Sequence, residues 1–164
     1  MQNDGVRTLV DIGDPSNLYH DGGPDWWKPR PNLARSSTPT ASSTFNGYSV
    51  ANVIDGNQNT AQLSNMSWAN VSGVLPQWVQ LDFGANRTFS KVELFTSSGF
   101  ELRDYDVEYL DGATWKKVAI VKGNTFTRRT HEFQAVTSRY LRVTCRLGPP
   151  GQPTYTRINE LEVY

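Results

Sequence analysis

Gln77-Trp78-Val79-Gln80-Leu81-Asp82-Phe83 is the stretch that decides the fold class. Successive side chains of an extended chain alternate between faces, so Val79, Leu81 and Phe83 share one side while Trp78, Gln80 and Asp82 take the other, and Gly84 closes the run. The pattern repeats outward. Phe89 to Phe95, Tyr105 to Leu110, Lys116 to Val121, Arg128 to Phe133, Arg139 to Cys145 and Ile158 to Tyr164 are all alternating or rich in β-formers, and Asp111-Gly112 between two of them signals a hairpin turn. The spacing suits eight strands. Only Tyr48 to Ile54 offers a helical turn or two, so no helices exist to cover a parallel sheet, and the chain is expected to be an all-β sandwich.

The chain has 164 residues, one domain's worth. Sixteen Lys plus Arg balance sixteen Asp plus Glu, which removes the whole-chain charge that nucleic acid or an anionic membrane surface would need. Hydrophobic residues make up 37% and charged ones 20%, with five Trp, seven Tyr and seven Phe, a profile suited to pleated surfaces. No run approaches the length of a membrane span, so no membrane insertion is expected, and Met1 to Val10 lacks the apolar block of a secretion signal. The chain reads as an excised piece. Cys145 has no second cysteine to pair with and reads as a buried thiol.

Residues 1–31 differ in texture from residues 32–164. Gly13, Pro15, Gly22, Gly23, Pro24, Pro29 and Pro31 leave no room for a helix or central strand, so the segment is expected to be an irregular linker or wrapped arm. Leu18, Tyr19, Trp26 and Trp27 are its exceptions, and at least one of these rings is expected to pack against the domain.

Catalytic material is sparse. His20 lies in the arm and His131 in a strand, neither beside a recognisable nucleophile, and both read as non-catalytic. Asp104 and Asp106 share a strand face and could in principle act as acid and base, against the alternative of a solvated charged face. The turn Asn52-Val53-Ile54-Asp55-Gly56-Asn57-Gln58-Asn59-Thr60 concentrates oxygen donors around a glycine, which suits Ca²⁺ as well as an ordinary turn bonded to its own backbone. Phe45, Trp68, Phe100 and Tyr155 sit in loops rich in Ser, Asn, Gly or Pro, where an aromatic either staples its loop to the core or offers a flat face to a sugar. Asn65, Ser97, Ser98, Glu101, Arg103, Gln152 and Arg157 lie near enough in sequence to supply hydrogen bonds to hydroxyls. Three sequons, beginning at Asn65, Asn70 and Asn86, read as accidental in an Asn- and Ser-rich chain.

Taken in order, residues 32–164 resemble the discoidin, or coagulation factor V/VIII type C, family and especially its bacterial members, the family 32 carbohydrate-binding modules. The resemblance runs through Asn32-Leu33-Ala34 and Thr40-Ala41-Ser42-Ser43, the Asp-Gly turn at 51–60, the strand at 77–84, Asp104-Tyr105-Asp106-Val107-Glu108-Tyr109 with Asp111-Gly112-Ala113-Thr114-Trp115, Ser138 to Val143, and Ile158-Asn159-Glu160-Leu161-Glu162-Val163. It implies an eight-stranded jelly-roll sandwich, non-catalytic, with ligand bound by loops at one end. It also implies a structural Ca²⁺ held by the side chains of Asp55 and Thr60, oxygens of Asn52 and Asn57, and the Glu160 carboxylate, with the carbonyl of Asn159 adjacent. For the sugar site the family's aromatics correspond to Trp68 and Tyr155. Its galactose-type His, Arg and Asn have no counterparts here: no His stands between Asp55 and Trp78, and Thr96-Ser97-Ser98-Gly99-Phe100-Glu101 has neither Arg nor Asn.

The resulting expectation is a module that binds a polysaccharide or other glycan through Trp68, Phe100 and Tyr155, with Glu101, Arg103, Arg157 and Asn65 as polar partners. Such a module would be extracellular and covalently linked to further domains of a secreted hydrolase or lyase. The alternative is a structural or protein-contact module within a larger enzyme.

Overall fold

The alternating run at Gln77 is the first leg of a strand that continues to Phe95. In chain order the strands are β1 (Thr38–Ala41), β2 (Trp68–Ala69), β3 (Gln77–Phe95), β4 (Asp104–Asp111), β5 (Thr114–Val121), β6 (Arg128–Leu147), β7 (Arg157–Ile158) and β8 (Glu160–Val163). These come from a computed structural model that describes residues 30–71 and 73–164, and all of them belong to the unit Asn32–Tyr164. The expectations placed on His20 and on Trp26 and Trp27 of the arm lie outside the described residues.

The tally of eight agrees with the sequence, but the pieces differ. A strand was expected to stop at Gly84 and another to begin at Phe89; instead β3 runs through both, and β6 likewise joins 128–133 to 139–145. The register between β3 and β6 slips between Asp82 and Arg87, then resumes with Arg87 opposite Ser138 and Thr88 opposite Thr137. An irregularity of this kind bends a ladder rather than ending it. Gly84 turns the chain at φ +78°, and the Asp82 carboxylate accepts the Gly84 N–H at 2.8 Å. The strands β2 and β7, of two residues each, are too short to show a period.

The bend lets two long strands serve both layers of the sandwich. The first leg of β3 pairs with β1 and with the second leg of β6, which continues through β4 to β5; the second leg pairs with β8 and with the first leg of β6. Val79, Leu81, Tyr105, Val107, Leu141 and Val143 meet Phe89, Val92, Leu94, Leu161 and Val163 in one apolar core. Each such large side chain taken out of water stabilises the fold by about 2 kcal/mol. Cys145 is buried there, its thiol pushed up to about 12 by burial, as befits an inert core residue. At the hairpin, Asp111 pairs with Thr114 across Gly112, which takes φ +60°.

The outward face of β4, β5 and β6 carries charge, and the charges are paired. Asp106 accepts Arg146 Nε at 2.6 Å and Lys117 Nζ at 2.9 Å. Glu108 takes Arg142 at 3.0 Å and the Thr144 hydroxyl, while the Arg142 guanidinium lies 3.9 Å from the centre of the Trp115 ring.

Two 3₁₀ turns complete the unit. Leu33–Ser36 is capped by Asn32, whose Oδ1 accepts both Ala34 N–H and Val163 N–H at 3.0 Å and so ties the start of the unit to β8. Val50–Ile54, inside the region expected to turn, is capped by Ser49 and delivers the chain to Asp55.

Candidate functional site

Three aromatic rings gather at the loop end beside β2 and β7. Phe45 stands edge-on to Tyr48 at a centroid separation of 6.0 Å and to Tyr155 at 5.9 Å, and with Ala69, Gln152 and Arg157 they line a cavity of about 210 Å³. Phe45 is 39% exposed, and Tyr48 and Tyr155 are half-buried, so part of this aromatic surface faces solvent. That is the outline of a small concave ligand site, apolar walls with a few polar groups.

Local chemistry fixes each wall. Phe45 N–H donates to the Ala69 carbonyl of β2 at 2.8 Å, and the loop then reverses at Gly47 (φ +88°) to bring Tyr48 N–H back to the Phe45 carbonyl. Beneath it lies Trp68, 0% exposed, whose indole Nε1 donates to the Ser43 carbonyl at 3.0 Å and the Thr44 hydroxyl at 3.2 Å. On the other side Asn70 holds the Tyr155 loop: its Oδ1 accepts the Thr156 N–H and hydroxyl, and its Nδ2 donates to the Thr154 carbonyl. The loop closes over Gly148, where any Cβ would run into the carbonyls of Gln152 and Tyr155.

This placement corrects one expectation. Trp68 cannot present a ring to a sugar; it is a core side chain that staples the Phe45 loop from within, because the β2–β7 pair sets it opposite Ile158 on the covered side. Asn65 is exposed in the turn before it and does not line the cavity. Phe100 is half-buried outside the lining and lies against the Arg157 guanidinium, 4.6 Å from ring centre to Cζ. Glu101 turns back to accept Gly99 N–H at 2.9 Å. Arg103 is bonded through its backbone to Leu147, and its Nε is buried without a partner. Of the expected ligand residues, the cavity therefore brings together Tyr155 and Arg157. Phe45 was among the loop aromatics but outside the expected binding set, and Tyr48 was absent from both; their signal was the pair of rings flanking Asn46-Gly47 in a Ser/Thr-rich loop. Asn70, buried and fully bonded, is unable to carry a glycan in the folded chain.

The Asp-Gly turn is a chain of side-chain-capped steps. Asp55 Oδ1 accepts Asn57 N–H at 2.7 Å, Asn57 Oδ1 accepts Asn59 N–H at 3.1 Å, and Asn59 Oδ1 accepts Ala61 N–H at 2.9 Å. Asn159 pins it from β8's approach, donating through Nδ2 to the carbonyls of Asn59 and Ala61 and accepting the Ser97 hydroxyl. The Asn52 amide donates to the carbonyls of Ser64 and Ser67. The side-chain amides of Asn52, Asn57 and Asn159 thus serve the fold. Glu160 is different. It is wholly buried, Oε1 accepts Gly56 N–H at 3.0 Å, and Oε2 has no partner. Burial, reinforced by the charges of Asp55 and Glu162 and opposed by the Gly56 N–H and Arg35, pushes its carboxyl up to about 8.

The residues considered for catalysis are all engaged. Hydrogen bonds from Gly123 N–H and Lys122 hold the Asp104 carboxyl below its usual range, and Lys117 and Arg146 do the same for Asp106 against its burial. Neither is a poised acid. His131 is buried with Nε2 2.9 Å from the Tyr105 hydroxyl, and burial, aided by the charge of Arg129, pulls its ring down to about 4.

Comparison with known proteins agrees with this architecture. Chitosan-binding module 1 of the chitosanase/glucanase from Paenibacillus sp. IK-5 superposes with a TM-score of 0.66 at 27% identity, covering 82% of this chain and 99% of that one. The family 32 carbohydrate-binding module of C. perfringens NanJ, solved with galactose, gives 0.68 at 21% over 80% and 96%. A fucolectin from striped bass (Morone saxatilis) serum gives 0.71 at 21% over 82% and 47%. No curated protein sequence matches significantly. The F5/8 type C domain profile matches residues 38–161, from β1 into β8, and the chain therefore belongs to the F5/8 type C domain family.

Proposed function

We propose that this domain is a non-catalytic carbohydrate-binding module whose ligand site is the cavity between Phe45, Tyr48, Tyr155, Gln152 and Arg157. The observation that carries the reading is the combination of three ring edges around an open concavity with buried polar atoms that lack partners: Gln152 Oε1 and Arg157 Nε and Nη1. Rings supply apolar contact for the C–H faces of a sugar, and unpaired donors and acceptors choose among hydroxyls. A cavity of about 210 Å³ suits one or two sugar rings rather than a long cleft. The likeness to a chitosan-binding module, a galactose-bound module and a fucolectin supports a glycan ligand. The chitosan-binding module derives from a chitosanase/glucanase, and a setting outside the cell, linked to a catalytic domain, fits this one as well.

We further propose a structural Ca²⁺ at the Asp-Gly turn. The partnerless Glu160 Oε2 is a buried carboxyl oxygen open to a cation, and the Asp55 carboxylate, the Thr60 hydroxyl and local carbonyls would complete a hard-oxygen donor set around the ion. The ion would neutralise the carboxylates and fasten the turn to β8.

The test of the glycan site is an array screen with the whole chain, followed by calorimetry of Tyr155→Ala and Phe45→Ala on whatever binds. Saturable binding weakened by both supports the cavity. Binding untouched by both places the ligand elsewhere.

A further inference from the structure

The cavity's one charged wall has no acidic partner among the described residues. Arg157 is 6% exposed and sits on β7, where Ala69 pairs with it across the β2–β7 ladder and its carbonyl accepts the Thr96 hydroxyl at 2.9 Å. Its position is therefore set by rigid elements. Its guanidinium rests on the Phe100 ring, yet Nε and Nη1 have no hydrogen-bond partner, and it forms no ion pair among the described residues. The other lining residues, Phe45, Tyr48, Ala69, Gln152 and Tyr155, bring no acid. Four arginines elsewhere in the chain are paired, Arg128 with Glu93, Arg139 with Asp82, Arg142 with Glu108 and Arg146 with Asp106; Arg103, whose Nε is also buried without a partner, lies outside this cavity's lining.

An always-charged group removed from water without an anion is costly, and a ring face returns only part of that cost. The deficit sits beside an open concavity. A ligand that carries its own negative charge into the cavity would remove it, whereas a neutral sugar would leave it in place and an aminosugar cation would worsen it.

We infer that the cavity prefers a saccharide whose ring carries an anionic group, a uronate carboxylate or a sulfate ester, with Arg157 as its counterion and Phe45, Tyr48 and Tyr155 as the walls that hold the ring. This rests on the glycan-binding reading and narrows its ligand class. Arg157 is the specificity-determining residue, and Gln152 Oε1, the buried acceptor opposite in character, is left to a sugar hydroxyl.

The experiment is calorimetry of the whole chain, in calcium, with five kinds of probe: oligouronates of glucuronic, galacturonic and mannuronic acid, their carboxyl-reduced neutral forms, sulfated galactose oligomers, their unsulfated forms, and chitosan oligomers. At least one uronate or sulfated probe should bind about tenfold or more tighter than its neutral form, and the advantage should shrink between 50 and 500 mM salt as charge is screened. The two acidic arms tell carboxylate from sulfate. Arg157→Gln should erase the preference for an acidic probe over its neutral form, and Arg157→Lys should restore part of it. If Arg157→Gln lowers the melting temperature markedly, the salt dependence of the unmodified protein still decides. Neutral or chitosan oligomers binding as well as acidic ones, with no salt dependence, overturns the anionic preference but leaves the glycan site standing. Failure of every probe, or binding indifferent to Tyr155→Ala, overturns the site itself.

Discussion

The charged face of β4, β5 and β6 and the loop end around Phe45 use the same residue types to opposite ends. On the sheet face Asp106 and Glu108, both nearly inaccessible, are each met by two partner side chains, and the Arg142 guanidinium that meets Glu108 lies over Trp115. At the loop end Arg157 is nearly as deeply covered and Gln152 is half-buried, but both keep unpaired polar atoms next to a cavity. A satisfied buried network has no spare capacity for a ligand and adds stability and specificity of fold. An unsatisfied one stores a cost that binding can relieve. The contrast separates the part of this domain that holds it together from the part proposed to bind a ligand.

Mutations and conditions should divide along that line. The largest effect is expected at Trp68, which lies under the loop end but belongs to the interior: Trp68→Ala should cost about 3–5 kcal/mol in urea unfolding. A loss under 1 kcal/mol would mean the indole is a surface ring after all. Next is acidity. The folded His131 titrates near 4 while the unfolded ring titrates near 6.5, so the unfolded chain binds the extra proton between them. Its contribution is complete above pH 6.5 and is lost as the pH falls through 4, worth about 3 kcal/mol at most, and His131→Gln should flatten that leg of the stability curve.

Calcium should act on the turn and leave the cavity alone. Saturating metal at about a hundred times its dissociation constant stabilises by about 2.7 kcal/mol, and chelation should lower the melting temperature accordingly. Without metal, Glu160 is protonated up to about pH 8 in the fold but only to about 4.5 when unfolded, so chelated protein should lose stability as the pH rises between those values, and calcium should cancel the loss. Asp106→Ala should cost about 2 kcal/mol, moderated because Lys117 and Arg146 are partly exposed, with no change in glycan affinity. Smallest in energy, and opposite in kind, is Phe45→Ala: about a tenfold loss of affinity, or about 1.4 kcal/mol, with unfolding changed by less than 1 kcal/mol. If Asp106→Ala weakened binding while Phe45→Ala unfolded the domain, the division drawn here would be reversed.

The sandwich was legible from residues 77–83 and their echoes because strand periodicity is a local property: Val79, Leu81 and Phe83 face the core as their alternation requires, and so do Leu141, Val143 and Cys145. The Asp-Gly turn was legible for the same reason, since Asp55, Asn57 and Asn59 each bond two residues ahead. Where strands end was not. Gly84 reads as a stop, and residues 83–86 do drop out of the pairing with β6, yet the two strands meet again with Arg87 opposite Ser138, some fifty residues away, so that the chain goes on as one bent strand. The fate of loop aromatics was undecidable for a similar reason. Trp68 and Phe45 stand in equally polar loops, and only the pairing of β2 with β7, ninety residues on, buries the first and leaves the second at the rim. Composition and alternation thus determined the class of fold and the donor-rich turn, whereas tertiary structure alone decided which rings face solvent and which arginines meet an acid, because burial and charge pairing depend on neighbours distant in the chain.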